Sequence, residues 1–233
     1  MRSTNPLSTD DQITISMASM PSRVEGMCAT VRKLLPYCDN FDLCLNGYHK
    51  QPVLPDDSKL TIIQEHPIVG ARGKFYLNHR TPGYHLTVDD DIEYPEDYVR
   101  VMIQHIERYE RAAIIGMHGQ LLTYPNGRIV LQYDQTFDRD WPMHILGTGV
   151  MGYHSSVLPI AWDSMLPGKI DDQVAWYAQE TATPMILIAH ETGWIQDREE
   201  LSLVDSLRRN LEARRIANAR VLSRQWRLHY PQL

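Results

Sequence analysis

The sequence predicts an α/β domain, a mostly parallel central sheet flanked by helices, with a helical extension at the C-terminus. Three observations carry this expectation. Short apolar runs alternate with stretches whose apolar residues recur at helical spacing. Proline and glycine mark the borders between them. The 233 residues, ordinary in apolar and charged content, suffice for one sizeable core and would be cramped as two. The expected organisation is a domain over residues 1–198 and a basic amphipathic helix over residues 199–233.

Ile13 to Ala18 reads as a buried strand. Pro21 opens a helix, because its fixed φ suits a first turn, and Val24, Met27, Val31, Leu34 and Leu35 form its apolar stripe. Pro36 closes it. Phe41 to Asn46 is a second strand, ended by the Asn46-Gly47 turn, and Leu60 to Ile63 is a third. His85 to Val88 is a short strand running into Asp89-Asp90-Asp91. Pro95 opens a helix with Tyr98, Met102, Ile106 and Tyr109 on one face, and Ala112 to Gly116 is the next strand.

The second half is less regular. Gly127 to Gln132 reads as one strand of a hairpin and Asp134 to Pro142 as a loop. Ile145 to Tyr153 carries Gly147, Gly149 and Gly152, the mark of backbone closely approached by something else. Asp172 to Thr181 is a helix and Met185 to Ile188 a strand. From Glu199 to about Trp226 a long helix carries Arg208, Arg209, Arg214, Arg215, Arg220, Arg224 and Arg227 beside Leu203, Leu207, Leu211, Ile216, Val221 and Leu222. Such a helix packs on its own core or a second subunit, or lies on an anionic membrane surface.

The net charge of −6 argues against non-specific binding to nucleic acid. Cys28, Cys38 and Cys44 are odd in number and show neither paired nor zinc-type spacing, so reduced thiols in a reducing compartment are expected. Residues 1–12 lack the apolar core of a signal peptide, and no apolar run approaches the ~20 residues of a membrane helix. A cytoplasmic protein is expected, with peripheral membrane contact left open.

The chemistry concentrates in Asp89, Asp90 and Asp91. Three adjacent carboxylates repel one another and are costly to bury unpaired. On a continuing strand Asp89 and Asp91 share a side. Two hard carboxylates there suit Mg²⁺ or Mn²⁺ with a diphosphate completing the shell. Ligands of α/β sheets bind at the carboxyl ends of strands, where these residues fall. The plainer alternatives are a solvated acidic loop or acids favouring a helix N-terminus.

The segment Tyr84 to Val99 resembles the Asp-X-Asp region of glycosyltransferases with the GT-A fold, a Rossmann-like single domain, and is most similar to the bacterial family-2-like enzymes of surface-polysaccharide assembly. Met17 to Arg23 resembles their first strand and nucleotide loop, and Gly70 to Tyr76 their second donor-binding segment. Leu146 to Gly149 and Asp171-Asp172 resemble the acceptor-side segments. Together these span Ile13 to Trp194.

The resemblance implies a nucleotide-diphosphate sugar as donor, a UDP-sugar by default. The acceptor would be a hydroxyl of a glycan or lipid-linked sugar. It further implies donor contacts from Ser19, Pro21, Arg23, Arg72, Lys74, Asp89 and Asp90, and metal ligands in Asp89, Asp91 and the late histidine His190. Gly147, Thr148, Gly149 and the indole of Trp194 would meet the acceptor. Asp172 would be the general base of an inverting transfer, with Asp171 competing for the role, against the plainer reading of Asp172 as a helix N-cap. His118 and His154 read as ordinary surface or hydrogen-bonded histidines. Two other functions fit related folds: a sugar-nucleotide nucleotidyltransferase, whose glycine-rich loop is missing at Ser19 to Arg23, and a non-catalytic sugar-nucleotide-binding protein.

Overall fold

The structure, a computed structural model, describes residues 11–65, 69–77, 81–123, 127–158, 165, 169–198 and 226–230. The expected helix over residues 199–226 falls almost wholly outside the described residues.

The strands are β1 (Gln12–Ser19), β2 (Asn40–Asn46), β3 (Leu60–Glu65), β4 (Gly83–Val88), β5 (Ile92–Glu93), β6 (Ile114–Gly116), β7 (Gly119–Thr123), β8 (Gly127–Leu131), β9 (Trp141–Pro142), β10 (Ile145–Leu146), β11 (Val150–His154), β12 (Met185–Leu187) and β13 (Gln196–Asp197). The helices are α1 (Val24–Leu34), α2 (Tyr98–Arg108) and α3 (Ile170–Glu180). Eight strands form one sheet in the order β3-β2-β1-β4-β11-β6-β12-β9. A hairpin, β7 and β8, joins β10 in a second sheet, and β13 pairs with β5 in a third.

The large sheet is mixed rather than mostly parallel. β3, β2, β1 and β4 are mutually parallel, as are β6 and β12. Between these two blocks lies β11, antiparallel to both β4 and β6. The expectation missed this strand because Gly147, Gly149 and Gly152 marked Ile145 to Tyr153 as backbone closely approached by something else, whereas four of the five residues of β11 are buried. A strand buried on both faces gives a continuous apolar run instead of an alternation.

Alternation decides the faces of the parallel block. Ile15, Met17, Leu43, Leu86 and Val88 share one core cluster with Met27, Val31 and Leu34 of α1 and Tyr98, Met102 and Ile106 of α2. Those helix residues repeat at three- and four-residue spacing, so each helix lays one stripe on the sheet. Burying a side chain such as Met102 contributes about 1.5–3 kcal/mol. A second cluster joins Ile114, Met151, Tyr153, Met185 and Leu187 to Ile170, Val174, Ala175 and Ala178 of α3.

The proline signals act as expected, with shifts of a few residues. Pro21 starts a 3-10 turn, Pro21–Arg23, that leads into α1, and Pro36 lies in the closing turn, Leu35–Tyr37. The carbonyl of Pro95 accepts from Tyr98 N at 3.2 Å, beginning α2. Cys28, Cys38 and Cys44 are free thiols. No helix of the described residues is long and apolar enough to cross a membrane.

Candidate functional site

β1 and β4 are adjacent and parallel, so the turn after β1 and the aspartates after β4 emerge side by side. Asp90 is 2% exposed, while the side chains of Asp89 and Asp91 are 34% and 32% exposed, so the outer two reach solvent and the middle one is buried. Two cations meet them. Arg23 Nη1 donates to Asp90 Oδ1 at 3.0 Å and to Asp91 Oδ2 at 2.7 Å. Lys74, from the 3-10 helix Gly70–Phe75, has its Nζ 2.5 Å from Asp89 Oδ1 and donates to the carbonyl of Thr148 at 3.0 Å.

Burial sets the electrostatics. It pushes the Asp90 carboxyl up to about 6, against the opposing pull of the nearby Ser19 hydroxyl and of Arg23, and Asp90 Oδ2 has no hydrogen-bond partner. The Asp91 carboxyl is also raised, by burial and by Asp89, with Arg23 and Lys74 opposing. For Arg23 burial works against the charge, but Asp91 and Asp90 more than offset it and its pKa is raised.

The loop Gly147–Gly149 joins β10 to β11 and lies against Asp89. A Cβ at position 149 would collide with Asp89 Oδ2, so only glycine lets that carboxylate lie there. Tyr94 ties the same pieces together: Asp89 N donates to its hydroxyl at 2.7 Å, and the hydroxyl donates to Gly149 O at 2.6 Å. At the head of α3, Asp171 Oδ1 accepts from Thr148 N at 2.9 Å and from Thr148 Oγ1 at 2.7 Å. Lys74 and Asp171 therefore pin Thr148 from opposite sides.

Asp172 is not the N-cap of α3. Lys169 holds that place, with φ of 41°, and Asp171 and Asp172 lie in the first turn. Asp172 Oδ2 lies 3.6 Å from Lys169 Nζ, and burial raises its pKa against the opposing charges of Lys169 and Arg128. The cap interpretation is thereby removed. Of the two carboxylates, Asp171 is the one bound to the glycine loop.

Other expected residues are placed elsewhere. Pro21 serves as the first residue of the turn that presents Arg23. The Ser19 hydroxyl lies 3.2 Å from the Tyr48 hydroxyl. Arg72 Nη1 donates to Met165 O at 3.0 Å. The indole N–H of Trp194 donates to Asp97 Oδ1 at 3.0 Å and its ring packs near Tyr98, making it part of the α2 core. His190 packs on Phe137, and its Nδ1 lies 2.7 Å from Ile188 O. Among the described residues no group of three or more His, Cys, Asp or Glu converges to hold a metal, so His190 does not complete a ligand set with Asp89 and Asp91.

Tyr133, Asp197 and Arg198 at this end escaped sequence reasoning, and His118 read as an ordinary surface or hydrogen-bonded histidine. His118 follows β6; its carbonyl accepts from Gly147 N at 2.8 Å, and its ring would lie 3.2 Å from a Cβ at 147. Burial lowers its pKa, opposed by Asp171, Asp134, Asp197 and Asp89, so it is a half-buried imidazole in a field of carboxylates. Tyr133 lies against it and donates to Asp197. Arg198 N donates to Asp91 O at 2.9 Å, so the strand β13 braces the aspartate turn from behind. A histidine directly after a strand was a visible signal; the pairing of β13 with β5 had none.

The residues present fit a divalent cation held in the substrate-completed mode. Mg²⁺ and Mn²⁺ accept one or two carboxylates with phosphate and water supplying the rest. Asp89 and Asp91 are such donors, and the glycine at 149 leaves space for the first. No protein-family model matches the chain, and a search of curated proteins finds no relative.

Proposed function

We propose that this protein is a metal-dependent glycosyltransferase of the GT-A type, moving a sugar from a nucleotide-diphosphate donor, by default a UDP-sugar, to a hydroxyl of a glycan or lipid-linked acceptor. One observation carries the reading. Outward-facing carboxylates at the end of β4, the arginine after β1, and a glycine loop held by a carboxylate of α3 share one end of the sheet.

The roles divide across the cleft. Asp89 and Asp91 would hold Mn²⁺ or Mg²⁺, which when bound offsets the charge developing on the departing diphosphate. Arg23 presents a guanidinium suited to phosphate oxygens. Lys74 fixes Asp89 and the glycine loop in register from within. Asp172, or Asp171 beside it, would take the proton of the acceptor hydroxyl as its oxygen bonds to the anomeric carbon and the sugar–phosphate bond breaks. The raised pKa of Asp172 moves it toward neutral pH, where a base works best.

The test is binding of nucleoside diphosphates. UDP, GDP, CDP and ADP are screened by thermal shift with and without Mn²⁺, since a ligand of the folded state raises apparent stability. Metal-dependent stabilisation by one of them is expected, and Asp91→Ala should abolish it with the fold intact. Unchanged binding in that variant refutes the assignment.

A further inference from the structure

Both carboxylates assigned to the ion already carry a protein cation, and the two cations are held differently. The Lys74 side chain is 1% exposed and its ammonium is fixed between Asp89 and the carbonyl of Thr148. It cannot leave without stranding a charge in the interior. The Arg23 side chain is 26% exposed, stands on a three-residue turn, and reaches both the buried Asp90 and Asp91, the latter 32% exposed, through the single nitrogen Nη1. The Lys74–Asp89 pair is therefore a strut, whereas Arg23 is anchored inward on Asp90 and only its contact to Asp91 is open to exchange.

We propose that Arg23 is an exchangeable cation of the nucleotide site: without a divalent ion it holds Asp91, and when an ion takes Asp91 the guanidinium, still anchored on Asp90, turns its remaining nitrogens to the diphosphate. The inference rests on the metal–nucleotide reading above and adds how that site is loaded. Three carboxylates face two protein cations, so the cluster carries one excess negative charge before any ligand arrives. A divalent ion alone reverses that sign and confronts Arg23 with a second cation over the same oxygen. A diphosphate arriving with the ion gives the guanidinium a new anion of matching geometry. Ion and nucleotide thus favour each other, each raising the other's affinity by the same factor.

The experiment measures two affinities of the full chain by calorimetric titration: Mn²⁺ alone, and UDP at saturating Mn²⁺. They are compared in wild type, Arg23→Gln and Arg23→Lys, with melting curves as the check on folding. If UDP is silent in the thermal screen, the nucleotide that responded replaces it. The exchange predicts opposite signs. Arg23→Gln should bind Mn²⁺ alone about fivefold or more tighter, and UDP with Mn²⁺ about fivefold or more weaker, at the lower end of ordinary coupling. Arg23→Lys, a point charge without the fork, should move both affinities the same way by less, and it serves if Arg23→Gln does not fold. Mn²⁺ affinity unchanged or weakened in these variants, while wild type binds UDP with Mn²⁺, overturns the exchange and leaves the metal reading standing. Tighter binding in both measurements overturns the transfer to the diphosphate. If wild type binds none of the four diphosphates with Mn²⁺, the metal reading and the exchange fall together.

Discussion

The two ends of the parallel strands both carry charged clusters, each with one carboxylate more than its cations, and the clusters differ in how fully their groups are partnered. At the amino end Arg111 donates to Glu107 Oε1 at 2.6 Å, to Asp11 Oδ2 at 2.6 Å and to the Tyr84 hydroxyl at 3.0 Å, and Tyr84 donates to Glu107 at 2.7 Å. His154 adds a 3.4 Å contact to Asp11. Every one of these groups is partnered, and the arginine closes the turn after α2, where Glu110 and Arg111 adopt positive φ. At the carboxyl end three carboxylates meet two cations, one buried carboxylate oxygen has no partner, and a glycine gives way to an aspartate. A cluster whose donors and acceptors match holds the fold. A cluster with a buried carboxylate oxygen left unpartnered and two carboxylates reaching solvent is arranged for something outside the chain. On this comparison, substitutions at the amino end should move stability and leave binding alone, and those at the carboxyl end that touch the outer carboxylates should move binding.

The largest expected effect is catalytic. Asp172→Asn should lower kcat by roughly 10²–10⁴-fold if this carboxylate accepts the acceptor's proton. UDP binding with Mn²⁺ and the melting temperature should barely change, because Asp172 lies in the first turn of α3 and caps nothing. Full activity in that variant, together with loss in Asp171→Asn, would move the role to the residue bound to Thr148. A product that keeps the donor's anomeric configuration would remove the need for either.

Next comes Gly149→Ala. The added methyl would drive Asp89 from its place while Lys74 still holds it, so Mn²⁺-dependent UDP binding should be lost. The crowding itself should cost about 1–3 kcal/mol of stability in a denaturant titration. Retained binding would mean that the placement of Asp89 against residue 149 does not matter to the ligand.

Arg111→Met is the counter-test at the opposite end. It strands Asp11 and Glu107 without their shared cation, and a loss of about 2–3 kcal/mol in unfolding free energy is expected for a partly exposed network. Affinity for UDP with Mn²⁺, measured well below the new melting temperature, should match wild type. A fall in affinity would show that the two ends are coupled and would break the division drawn above.

The sequence revealed the parts of this molecule governed by local rules. Prolines 21 and 95 announced α1 and α2, and the short runs of β1 and β4, one leading into Pro21 to Arg23 and the other into the aspartates, marked both groups as lying at strand carboxyl ends. Two features resisted. β11 was hidden because Gly152 within it and Gly147 and Gly149 before it read as backbone closely approached by something else rather than as a strand. The partners of Arg72, Trp194 and Asp171 depend on residues 93, 97 and 23 positions distant, which no local pattern encodes. Lys74 was expected to meet a ligand and instead lies beneath the carboxylate that would meet it. A sequence shows a cation near an anion site; only the fold decides on which side of the carboxylate it stands.

The smallest expected effect concerns Asp90, and it separates the inner carboxylate from the outer two. Burial raises this group from 3.8 to about 6, so the folded protein holds its proton more tightly than the unfolded chain does. The sign follows from linkage: the stability that Asp90 contributes is fully present below pH 3.8 and is lost as pH rises through about 6. Asp90→Asn keeps an acceptor for Arg23 and carries no charge to desolvate. It should therefore match wild type near pH 4 and exceed it at pH 8. The ceiling on the gain is about 3 kcal/mol at 1.36 kcal/mol per pKa unit, and about 1–2 kcal/mol is expected once Arg23 relaxes toward Asp91. Denaturant titrations at pH 4, 6 and 8 measure it directly. A variant less stable than wild type at pH 8 would mean that the Arg23–Asp90 ion pair outweighs the cost of burying the charge. The middle aspartate would then act as the fully partnered cluster at the other end of the sheet does, holding the fold, rather than as the two solvent-reaching carboxylates beside it do.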